Sequence, residues 1–132
     1  EVSRTRSLRN TIAWVLSPNT RQVRREQSNS HVQEIFAKHK EAKEINEQLL
    51  AGEITLDEAR EKISALKLSK QDEIDVLSYH KSCWEISGTD EWKQALQDAK
   101  SYMEIYETSG IEGIEDPEMK ERLTRWEREH EI

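Results

Sequence analysis

The chain of 132 residues has one cysteine, two prolines, four glycines, one phenylalanine and no long apolar run. A single thiol excludes an intrachain disulfide and a metal cage built from cysteine alone. Leu, Ile, Val and Phe together supply 27 residues, one in five, and Met and Trp raise the large apolar set to 33. Chains of this composition with a high net charge tend toward disorder. With 36% charged residues and a mean hydropathy of −0.94, a thick core, a buried parallel sheet and a membrane span all fit poorly. No alternating run of Val, Ile, Thr or aromatic residues marks a strand, and no Asn-Gly or Asp-Gly pair marks a hairpin. The first residues lack the charged-then-apolar pattern of a secretory signal, so an intracellular, cytoplasmic location is expected. The chain opens on Glu1 rather than Met, the start expected of a processed product or of a piece of a larger protein.

What is present is helical patterning. Gly52, Gly88, Gly110, Gly113, Pro18 and Pro117 all fall between amphipathic stretches, where helices should stop or start. A first helix is expected from about Arg4 to Leu16, with Leu8, Ile12 and Val15 as its stripe. Thr20 can cap a second segment reaching Leu50, and Val32, Ile35, Phe36, His39, Ala42, Ile45, Leu49 and Leu50 recur along it at helical steps. Ser28, Asn29 and Ser30 are candidates for a break or bend. Thr55 and Glu58 read as a capping box, and Leu56, Ala59, Ile63 and Leu66 as a narrow seam.

Ser69 and Asp72 open a fourth helix with two stripes, Ile74, Leu77 and Trp84 on one side and Val76, Tyr79, Cys83 and Ile86 on the other. A helix apolar on so much of its circumference is expected in the middle of a bundle. Thr89 or Ser87 caps a fifth, in which Trp92, Ala95, Leu96, Ala99, Tyr102, Met103 and Tyr106 share a face. Asp116 and Pro117 start a sixth along Met119, Leu123, Trp126 and His130. The fold expected is therefore an all-α helical bundle of five to six helices with a basic N-terminal helix or arm.

Charge is unevenly spread. Residues 1–30 carry six Arg, two Glu and no Lys, a net +4, whereas residues 31–132 carry a net −11. A basic arm (1–30) and an acidic bundle (31–132) are accordingly expected. The arginines form two clusters, Arg4, Arg6 and Arg9, then Arg21, Arg24 and Arg25, the second on one helical face. Guanidinium forks bind phosphate and carboxylate bidentately, so this segment suggests anion recognition, although a basic helix could equally dock on the acidic body.

Catalytic patterns are missing. There is no GxxxxGK[ST] or GxGxxG loop, no HExxH, no GxSxG and no EF-hand loop. His80 and Cys83, one turn apart, could supply half of a zinc site or a nucleophile pair, but nothing identifiable completes either. Core packing of Cys83 beside a partly buried His80 is the ordinary alternative. The pairs Asp57 and Glu58, Asp72 and Glu73, and Asp90 and Glu91 each fall in a first helical turn, where negative charge complements exposed amides.

Trp84, Trp92 and Trp126 lie on helix stripes, where a core role is expected. Trp14 lies off its stripe, either against a neighbouring helix or exposed beside the arginines, and the pairing of Arg with Trp favours an interface anchor. The sequence thus leads to a non-enzymatic protein-binding or scaffold domain. Its expected binding residues are Arg4, Arg6, Arg9, Trp14, Arg21, Arg24 and Arg25, with no catalytic residue, metal or cofactor. A protein partner is expected, with a homodimer, nucleic acid on the arginine clusters, and a small acidic inhibitor or antitoxin as alternatives. No membrane partner is expected.

Overall fold

The computed structural model of the chain describes residues 2–17 and 30–130. Every regular element among them is helical: α1 (Val2–Leu16), α2 (Ser30–Lys38), α3 (Lys40–Leu50), α4 (Leu56–Ala65), α5 (Lys70–Ser87), α6 (Asp90–Ser109), a 3-10 turn (Ile111–Gly113) and α7 (Pro117–Glu129). The architecture is all-α, as the patterning requires. Among the described residues there are seven helices rather than five or six, because the described part of the second expected segment, residues 30–50, forms two helices. The Thr20 cap and the second arginine cluster lie outside the described residues.

Helix ends follow local chemistry. Thr55 Oγ1 accepts from the Glu58 amide at 3.2 Å while Glu58 Oε1 accepts from the Thr55 amide at 2.9 Å, completing the capping box. Ser69 accepts from the Asp72 amide, and Asp116 accepts from the Glu118 amide with Pro117 in the first turn. Past α3, the Gly52 amide reaches Leu49 O and the Glu53 amide reaches Gln48 O. That closure requires a positive φ, and Gly52 supplies 76°.

The break between α2 and α3 has no such local cause. His39, at φ −124° and ψ 85°, interrupts the helix with neither Gly nor Pro nearby. Both α2 and α3 pack on α5, so the break lets each present its own apolar face, Val32, Ile35 and Phe36 from one and Ala42, Ile45 and Leu49 from the other. Tertiary packing overrides propensity here.

The helices form two compact units. One contains α2 to α5 within residues 22–89; Val76, Tyr79, His80, Cys83 and Ile86 of α5 are buried there, with Ala59 and Ile63 of α4. The other combines α1, from residues 1–21, with α6, the 3-10 turn and α7, from residues 90–132. Its core joins Leu8, Ile12 and Val15 to Ala99, Met103, Ile114, Met119, Leu123 and Trp126. The division by packing is thus not the division by charge at residue 30, since basic α1 shares a core with the acidic C-terminal helices. Among the described residues no helix is long and apolar enough to cross a membrane.

Candidate interaction surface

Of the residues expected to bind, Arg4 is exposed and Arg9 half-buried, while Arg6 keeps only 7% of its surface. Arg21, Arg24 and Arg25 lie outside the described residues. Trp14 is 4% exposed and its ring lies 4.7 Å, centroid to centroid, from that of Trp92 on α6. The preference for Trp14 as an exposed anchor is therefore corrected: it contacts a neighbouring helix. The cause is that α1 buries two faces. Opposite Leu8, Ile12 and Val15 runs a second buried row, Asn10, Ala13, Trp14 and Ser17, at steps of three and four residues. That uncharged spacing was the available signal, masked because half of the row is polar.

The reverse correction applies to α5. Its row Val76, Tyr79, Cys83 and Ile86 enters the core, but Ile74 stays 52% exposed and Trp84 37% exposed, with Leu77 half-buried between them. The helix is not enclosed on all sides. Leu77 and Trp84 follow Ile74 by three and ten residues, so the three lie along one outer line, with exposed Lys70 and Lys81 in the same register. This is a helix that uses one apolar face for folding and leaves another in water.

The groups with reactive side chains are placed otherwise. His80 has no exposed surface and Cys83 only 1%. His80 Nε2 lies 3.3 Å from Ala42 O. A carbonyl only accepts, so Nε2 carries the proton, leaving Nδ1 as a buried acceptor with no hydrogen-bond partner. Burial pushes the imidazole down to about 4, against the smaller opposing effect of the Ala42 carbonyl. A neutral ring and a thiol enclosed in this way cannot meet a substrate without the core opening.

His31, at the start of α2, reaches Asp72 and Asp75 of α5 at 3.3 Å each, an ion pair whenever the ring is protonated. In the other unit the Tyr106 hydroxyl donates to Glu127 Oε2 at 2.5 Å. Burial, then Glu127, push the phenol up to about 12. The Trp126 indole donates to Ser7 Oγ at 3.1 Å, and its ring lies 4.4 Å, centroid to centroid, from the His130 ring at a tilt of 30°. The Tyr106–Glu127 and Trp126–Ser7 bonds clasp α1, α6 and α7, and they join residues too distant in sequence for any spacing rule to pair, whereas Trp126 and His130 stand one helical turn apart. Among the described residues no group of three or more His, Cys, Asp or Glu side chains is arranged to hold a metal ion.

Comparison of the chain with protein-family models, with curated proteins and with solved structures finds no match.

Proposed function

We propose that the chain is a non-enzymatic helical interaction domain that binds a protein partner on the outer face of α5. The observation that carries this reading is the row of Ile74, Leu77 and Trp84, partly or largely exposed on a helix whose other apolar face already serves the core. Scattered apolar side chains on a surface are ordinary, but three large ones in helical register, including a tryptophan, have the make-up of a binding hot spot. The enclosure of His80 and Cys83 supports the non-enzymatic part, since the thiol and imidazole that the sequence offers as a reactive pair are withdrawn from solvent. Of the described N-terminal arginines, Arg4 stays on the surface as an additional charged contact.

Photo-crosslinking tests this reading. A benzophenone side chain at position 74 or 84 should capture a discrete protein product in an extract of the source cells, and one at position 4 should capture less of it. Capture from position 4 alone would move the interface to α1 and overturn the assignment to α5.

A further inference from the structure

The partner's chemistry can be read from the same row of α5, and this step rests on the interaction reading just given. Lys70, Ile74, Leu77, Lys81 and Trp84 succeed one another at steps of four, three, four and three residues, the spacing of a seam that receives a second helix. Lys70, Ile74, Lys81 and Trp84 are exposed and Leu77 is half-buried. The two lysines are 11 residues apart, three turns or about 16 Å along the axis, so both ammonium groups rise from one line. Among the described residues neither ammonium takes part in an ion pair. Carboxylates stand beside the row rather than on it, half-buried Glu73 on one flank and exposed Glu85 on the other. A chain with net charge −7 therefore carries, on its exposed apolar row, two cations.

We propose that this row docks an acidic amphipathic helix of a different protein, one presenting large apolar residues at three-four spacing and carboxylates about three turns apart that meet Lys70 and Lys81. Helices with an apolar stripe are a common occupant of such a face, and opposite charge sets register and orientation. A second copy of this chain fits worse. Laid parallel, it sets each lysine against its like. Laid antiparallel with Ile74 opposite Trp84, it brings the two Lys81 within about one turn, or roughly 6 Å, of each other along the axis.

Two synthetic helical peptides with the same leucine seam, one with Glu and one with Lys at the flanking positions, test this against the full chain by calorimetry at low and high salt. The acidic peptide should bind about tenfold or more tightly than the basic one, and the preference should shrink as salt rises. The double variant Lys70→Glu with Lys81→Glu should reverse the preference, and Trp84→Ser should weaken both peptides at least tenfold with helical content unchanged. Equal binding, or preference for the basic peptide, overturns the acidic partner and leaves the docking face standing. Binding of neither peptide overturns the helical partner and the docking face together. A dimer of the chain alone, seen by sedimentation and abolished by Trp84→Ser, overturns the proposal in favour of a second copy.

Discussion

His80, on α5 and against Ala42 of α3, is fully buried, and burial favours its neutral ring over the charged one. The folded value, about 4, lies below the ordinary 6.5, so the unfolded chain takes up the proton first as pH falls. Stability from this group is complete above 6.5 and is lost progressively down to about 4, a loss of roughly 3 kcal/mol. Urea unfolding at pH 7 and pH 4 should record that fall, and His80→Leu should reduce it relative to the parent chain. The comparison is necessary because carboxylates held by hydrogen bonds, Glu58 among them, lose their own contribution as they are protonated at acid pH. In the other unit, Tyr106→Phe removes the bond to Glu127 and should cost roughly 1 kcal/mol in the same assay. The tryptophans mark where sequence reasoning stops at this scale. Trp84, Trp92 and Trp126 each share a stripe with other apolar residues of their own helix, and for Trp92 and Trp126 the core role read from that stripe was right. The places of Trp14 and Trp84 were not legible, because burial depends on which face meets a neighbour: Asn10 and Ser17 are polar yet buried beside Trp14, and Ile74 is apolar yet outside with Trp84.

Helix boundaries were the most legible feature, since capping is a local exchange of hydrogen bonds among three or four adjacent residues. Thr55→Ala should cost roughly 1 kcal/mol by removing the hydroxyl that accepts from the Glu58 amide, while the main-chain amide of residue 55 can still donate to Glu58; the loss is measured as a lower midpoint of urea unfolding. Lys67, which follows α4 at φ 56°, holds a backbone conformation disfavoured for a residue with a Cβ. Lys67→Gly should therefore raise stability by roughly 0.5–1 kcal/mol, and a decrease would mean that its side chain contributes more than the backbone costs. The interruption at His39 shows the opposite situation. No local residue requires it, and only the packing of α2 and α3 on α5 accounts for it.

At the scale of the whole molecule, α1 is part of a core and not a detachable basic arm. Removing residues 1–17 would leave Met103, Leu123 and Trp126 without Leu8, Ile12 and Val15. Such a truncation should lose the near-ultraviolet signal of packed aromatic rings and part of the helicity, whereas Arg4→Gln should lose neither. A binding experiment on the truncated chain would therefore report folding as much as recognition. The unit structure was hidden from the sequence because charge changes sign near residue 30, whereas packing joins the two ends of the chain and separates them from the segment between. Quenching of tryptophan fluorescence by iodide tests the central claim most directly, that the surface indole belongs to α5 and not to α1. Of the four tryptophans, Trp84 should supply the quenchable emission: Trp84→Phe should abolish it, and Trp14→Phe should leave it intact. Loss of quenching in Trp14→Phe, with quenching retained in Trp84→Phe, would contradict the account.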